Sequence, residues 1–279
     1  VCPVLAVVLG LCSSLSWGVA DFLGGWASRR AAAIAVVLLS QGAGLALMLL
    51  IAAVIRSGPP PASDMLFGAA AGAVGAVGLL AFYRGLAVGT MSLVAPIAAL
   101  GVVVPVAVGV AGGDRPSAVV VVGVVVGVGG ATLASRAPGP ASTRGLGLAL
   151  LAAAGFGGFF ALLAPAADHD VLWAVIAARF ASVPLVMVAA LATRTRIRVD
   201  GADLPRVLVA GILDSSANLL FAAATQHGLI SVVSVLGSLY PVATVALARA
   251  VLGERMGPIQ GVGVGAALVG VGLIALGAA

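Results

Sequence analysis

Three ionisable side chains, Asp21, Arg179 and Asp214, lie inside apolar stretches of a chain that is 62% hydrophobic and 8% charged over 279 residues. A charge at the middle of a bilayer is costly and is kept for pairing or for transport. Asp214, Asn218, Phe221 and Thr225 follow i, i+4, i+7, i+11 spacing, so on a helix they form one polar and aromatic stripe. Asp214 falls about eight residues into its apolar run, roughly 12 Å deep at a helical rise of 1.5 Å per residue. A carboxylate there can exchange a proton or hold a cation, which makes Asp214 the expected coupling residue. It can also form a buried tie with Arg179. Asp21 follows Trp17 by four residues and shares its face. Its competing reading is a hydrated acid near the membrane interface.

Aromatic and proline residues extend this constellation. Trp17, Tyr83, Phe160 and Tyr240 can stack against a flat or cationic solute, or anchor helices at the interface. Pro96, Pro105 and Pro241 interrupt the hydrogen-bond ladders of their helices, and freed carbonyls are tolerated at depth where they line a cavity. Together the expected substrate-binding set is Trp17, Asp21, Tyr83, Pro96, Phe160, Asp214, Asn218, Phe221 and Tyr240. Arg179, Pro105 and Pro241 are expected to be structural or gating. Ser92 and Ser231, at equivalent positions near helix starts, read as helix caps, with cavity lining as the alternative, and His169 between Asp168 and Asp170 reads as part of a solvated loop with no metal partners nearby.

Such residues need a membrane to be unusual in, and composition supplies one. Soluble domains carry about a quarter charged residues; this chain, with a mean hydropathy of +1.25, could not cover its surface in water. All 14 basic residues are arginine. They cluster in loops beside lipid headgroups and form no nucleic-acid face. Cys2 and Cys12, ten residues apart in one apolar segment, are neither a disulfide framework nor a metal site. No phosphate-binding glycine loop with its lysine is present, which excludes ATP drive within the chain, and no cofactor is implied.

Runs of roughly 20 apolar residues mark ten expected spans: 3–26, 32–55, 65–88, 90–111, 117–135, 145–165, 171–192, 205–227, 229–251 and 258–277. The first has no basic residue before it and Arg29-Arg30 after it, the wrong polarity for a cleaved leader. The chain also repeats itself. A shift of 139 residues carries Phe82 onto Phe221, Gly89 onto Gly228, Ser92 onto Ser231, Val94 onto Val233 and Leu100 onto Leu239. The stretch 135–144 (SRAPGPASTR) falls where the repeat breaks and reads as a linker. The expected fold is therefore an all-α integral membrane protein of ten transmembrane helices in two five-helix repeats, 1–138 and 139–279. An odd helix count makes the second repeat start on the opposite side, so the repeats are inverted, the plan of many secondary transporters.

Trp17-Gly18, the run Ser92-Leu93-Val94-Ala95-Pro96, Ser238-Leu239-Tyr240-Pro241 and Gly253-Glu254-Arg255 resemble the EamA-type branch of the drug/metabolite transporter superfamily, over nearly the whole chain. The resemblance implies a central cavity lined mainly by helices one, three, four, six, eight and nine. It implies export or exchange of a small metabolite or drug-like solute by alternating access. Two departures bear on the symmetry of the gates. Gly113-Asp114-Arg115 stands for the family's Gly-Glu-Arg, and Gln41 stands where many members have an arginine, while Arg179 keeps that charge in helix seven.

The reading is a multi-pass transporter of the cell (inner or plasma) membrane, an exporter or exchanger with proton coupling, and not an enzyme. An aspartyl protease would need Tyr-Asp and Gly-x-Gly-Asp settings, whereas Asp21 and Asp214 follow Ala20 and Leu213. The alternative is a channel or non-transporting scaffold subunit on the same bundle, although rings of charge and a carbonyl filter sequence are missing. Expected partners are a small-molecule substrate, the lipid bilayer and a second copy through Gly123-VVV-Gly127 and Gly261-VGV-Gly265, but no nucleic acid. The 1–2, 5–6 and 7–8 loops carry most arginines, which puts them in the cytoplasm and both ends of the chain outside. The family resemblance implies the reverse.

Overall fold

A computed structural model of the chain describes residues 3–104, 107–108, 117–136, 144–166, 170–227, 236–237 and 239–277. Ten α-helices run through these residues: α1 (Pro3–Ala27), α2 (Ala33–Ile55), α3 (Ala62–Val88), α4 (Met91–Ala98), α5 (Ala118–Arg136), α6 (Leu146–Ala166), α7 (Val171–Ala192), α8 (Leu204–His227), α9 (Tyr240–Leu252) and α10 (Pro258–Gly277). Six of them, α1, α2, α3, α6, α7 and α8, are long and apolar enough to cross a membrane. The others are shorter apolar helices within the described residues. The exterior confirms the solvent: Leu50, Val54, Leu66, Val188, Leu191 and Val262 are each more than 60% exposed. Side chains of this kind on every outer face suit lipid, not water.

Helix boundaries follow local chemistry. Asp170 accepts a hydrogen bond from the Trp173 amide at 3.2 Å and so starts α7. Arg56 closes α2 in the left-handed conformation, φ 55°. Pro96 sits inside α4, where it lacks an N–H and crowds the carbonyl one turn back. The helix gives way to a 3-10 turn at Ala99–Val102 immediately after it. Pro241 occupies the first turn of α9, a position where its missing N–H costs nothing, and Leu236 and Gly237 shortly before it are also helical. Pro105 lies outside the described residues.

Helix pairing has a pattern. α3 packs on α6 as α1 packs on α8, α3 on α7 as α2 on α8, and α1 on α9 as α4 on α6. The remaining main crossings, α5 on α10, α2 on α7 and α4 on α9, each join equivalent helices. Exchanging α1–α5 for α6–α10 therefore maps the packing onto itself. The closest approaches obey the same register. A Cβ on Gly72 would meet the Ala178 carbonyl oxygen at 2.0 Å, and one on Gly211, 139 residues on, the Ser40 carbonyl oxygen at 1.9 Å.

The α5 glycine motif is used within the chain. Gly123 and Gly127 press on α10 at Gly270 and Ile274, whereas Gly261 and Gly265 have no atom within 4 Å of an added Cβ. Of the two faces expected to bind a second copy, that of α5 is already covered.

Candidate functional site

The two halves together line a central, partly open cavity of about 280 Å³. From the first half come Trp17 and Asp21 on α1, Gln41 on α2, Gly72, Gly75, Ala76 and Leu79 on α3, and Ala98, Ala99 and Gly101 around the end of α4. The second half adds Phe156, Phe159 and Phe160 on α6, Arg179 on α7, Asp214, Asn218 and Phe221 on α8, then Gly237, Tyr240 on α9 and Val271 on α10.

Twelve of the twenty lining residues pair across the two halves. Trp17 and Phe156, Asp21 and Phe160, Gly75 and Asp214, Leu79 and Asn218, Ala98 and Gly237, and Gly101 and Tyr240 are each 139 residues apart, and all line the cavity. The cavity thus sits where the exchange relation between the halves passes through the bundle. Its chemistry is not duplicated, because each acid has an uncharged counterpart.

Arg179 Nη2 donates to Asp214 Oδ2, joining α7 to α8. The guanidinium side chain is 7% exposed and the carboxylate 26%. Burial at this level leaves the pair its mutual attraction, since neither group is fully hydrated alone. Asn218 turns back on its own helix, Nδ2 donating to the Asp214 carbonyl oxygen at 2.8 Å. Gln41 receives the Ser182 hydroxyl at 3.0 Å across the α2–α7 crossing. Asp21 is 8% exposed, lines the same cavity, and bonds to no side chain among the described residues. Beside it, Trp17 holds ring contacts with Phe221 at 5.8 Å and Tyr240 at 6.4 Å.

Of the expected site residues, Trp17, Asp21, Phe160, Asp214, Asn218, Phe221, Tyr240 and Arg179 come together on one wall system. Tyr83 and Pro96 do not. Tyr83 is 2% exposed and its ring fills a recess left by Gly24 on α1, where a Cβ would meet the ring at 2.1 Å. Pro96 is buried behind the cavity, and its effect on the wall is indirect, through the 3-10 turn that presents Ala99 and Gly101. Phe156, Phe159, Gly75 and Leu79 were missed. The 139-residue register contained Phe156, Gly75 and Leu79, reached by shifting Trp17, Asp214 and Asn218.

One end of the bundle is tied together by polar contacts. Glu254, after α9, accepts from the Met91 amide at 3.1 Å and from the Ser92 amide and hydroxyl, each at 3.0 Å, at the start of α4. Arg29, after α1, completes the knot at 2.5 Å. Ser92 was expected to act as a cap; here the capping acceptor comes from the other half of the chain. Nearby, Asp203 pairs with Arg206 and Arg30, and Arg206 lies 4.7 Å from the Trp26 ring. At the opposite end, Ser57 receives the Trp173 indole at 3.0 Å and donates to Asp170 at 3.3 Å. Asp168, His169, Ser231 and Gly113-Asp114-Arg115 lie outside the described residues.

Comparison with known proteins agrees with this architecture. A solved crystal structure of 14% identity superposes with a TM-score of 0.67 over 96% of each chain, a likeness of fold alone. No curated protein matches. Residues 4–136 and 143–276 each match the EamA-like transporter family, one match for each half. The chain is a member of the EamA-like transporter family, a multi-pass membrane transporter built from two repeats.

Proposed function

We propose that the chain is a secondary transporter of the cell membrane that moves a small solute by alternating access, as an exporter or exchanger, with ten crossings in two inverted repeats, 1–138 and 139–279. The observation that carries this reading is the cavity whose walls pair across the 139-residue register. A site on the exchange axis is approached by equivalent helices from the two halves. Five helices per half, α1–α5 and α6–α10, reverse the second half relative to the first. Rocking one half against the other would then open the site to each side in turn. The knot at Glu254 has the character of one closed gate, because it joins α4, the α1 end and the α9 end through a few polar contacts. The Arg179–Asp214 pair supplies a switch: a proton or a charged solute group competes for the same carboxylate, and its release frees α7 from α8.

The test is counterflow in liposomes holding the purified protein and a labelled metabolite mixture. Saturable exchange, accelerated by unlabelled substrate outside and altered by an imposed pH gradient, is expected. Flux that grows linearly with concentration and carries current would make the chain a channel. No flux above protein-free liposomes, for any fraction of the mixture, would leave a non-transporting subunit.

A further inference from the structure

We infer that the cavity is built for a monovalent organic cation bearing an apolar ring, its charge seated between Asp21 and the corner formed by Trp17, Phe221 and Tyr240. This deepens the transporter reading and rests on it. Among the lining residues Asp21, Asp214 and Arg179 are the charge-bearing groups, and Arg179 is engaged by Asp214. Asp21 is left over, more than nine-tenths buried, its carboxyl aimed into the cavity. A buried carboxylate without a counter-ion is costly, and an occupant that brings one positive charge removes the cost. An anion would meet Asp21 with no free cation to offset it.

Geometry supplies the rest of the recognition. Trp17 lies one helical turn before Asp21 on the same face, and its contacts with Phe221 and Tyr240 are tilted or edge-on. Rings so inclined do not cover one another's faces as a stacked pair would, and the face of an aromatic ring is what attracts a cation. The lining contributed by α6 is aromatic as well: Phe159 and Phe160 meet at 5.3 Å, with Phe156 one turn earlier. Phe160 is the register partner of Asp21, so duplication has yielded an anionic pole and an aromatic pole in one chamber. A solute with charge at one end and a ring at the other matches both. The other groups near Asp21 are Asp214 on α8, Tyr83 on α3 and Tyr240 on α9, and none of them offers a positive charge. At about 280 Å³ the cavity falls just under the usual range for ligand pockets, roughly 300–1,000 Å³, and so suits a small solute.

Two isosteres test this: phenyltrimethylammonium and neutral tert-butylbenzene, titrated into the purified full chain with tryptophan fluorescence as the readout. The wild type is expected to prefer the cation by about tenfold or more. Asp21→Asn should lose that preference, and Asp21→Glu should retain it. Equal binding of the two isosteres by the wild type overturns the proposal, and so does an undiminished preference in Asp21→Asn. The wild-type comparison needs no variant to fold. Counterflow separates this idea from the one beneath it. Cation-selective binding without any exchange would sink the transporter reading alone. Exchange confined to neutral or anionic solutes, indifferent to Asp21→Asn, would sink the cation assignment alone.

Discussion

Gly72 and Gly211 hold the same place in the two halves. Gly72 lets α3 press against the Ala178 carbonyl of α7, and Gly211 lets α8 press against the Ser40 carbonyl of α2. Bilayers give helices no hydrophobic reason to associate, so close backbone approach at small residues carries much of the packing. In this chain those approaches also set the width of the cavity, since Gly72 lines it and Ser40 precedes Gln41, which does.

Replacing either glycine by alanine should force the crossing apart. A Cβ at 2.0 Å or less from a carbonyl oxygen cannot be absorbed by a rotamer change. Gly72→Ala and Gly211→Ala are each expected to cost about 1–3 kcal/mol, the range for overpacked sites. Gly129→Ala, with no atom within 4 Å of the new methyl, should be neutral or stabilise by up to about 1 kcal/mol. Thermal unfolding in detergent measures all three. Equal melting temperatures would mean that the crossings are loose enough to yield.

The Arg179–Asp214 pair makes a prediction with two readouts. Asp214→Asn leaves a guanidinium side chain that is 7% exposed without its counter-charge, at a cost of about 3 kcal/mol. Arg179→Gln combined with Asp214→Asn removes both charges and should recover most of that stability. If the pair is the coupling switch, pH-dependent exchange is lost in Asp214→Asn and stays lost in the double variant. Recovery of pH-dependent exchange together with stability would assign the pair to structure and move coupling elsewhere.

Glu254 is expected to hold a gate. Its carboxylate serves two amides and a hydroxyl at the start of α4 as well as Arg29. Loss of a helix-terminus acceptor costs about 1 kcal/mol, enough to shift a balanced two-state equilibrium roughly fivefold. In Glu254→Ala, a single cysteine at Ser92 should be modified several-fold faster by a water-soluble maleimide than the same cysteine with Glu254 intact. Unchanged reactivity would mean that this end stays closed through other contacts, such as the Asp203–Arg206 pair.

Much of this architecture was legible in the sequence because membrane spans obey a one-dimensional rule. Apolar runs bounded by charges placed α7 and α10 at their observed limits and most others within a few residues. The Asp214, Asn218 and Phe221 stripe was legible because helical periodicity alone puts those residues on one face. Which helix lies behind a residue is a different matter. Tyr83 has the composition of a site residue, yet Gly24 on a distant helix provides the recess that removes it from the cavity. Pro241 marks an interruption in its apolar run, but the sequence does not say that α9 starts afresh at Tyr240 with the proline in its first turn. The Gly123 and Gly127 motif likewise says that something packs closely there, but not whether it is α10 or a second chain.

Orientation is the remaining expectation. Ties in the structure gather the arginine-rich loops at one end: Arg29 reaches Glu254, and Arg30 and Arg206 both reach Asp203. Arg194, Arg196 and Arg198 stand exposed in the same α7–α8 loop. The opposite end has Arg56 and the acidic Asp170 among its described residues. Basic loops are retained in the cytoplasm, so this imbalance predicts the Glu254 gate facing inward and both ends of the chain outside. A cysteine at Ala202, exposed in the α7–α8 loop and free of charge, reports the side directly. In a background lacking Cys2 and Cys12 it should resist an impermeant maleimide in intact cells and react once the membrane is opened. Labelling in intact cells would invert the assignment. Asp21 would then stand in the half of the bilayer away from the cytoplasm, and Glu254 would guard the exit.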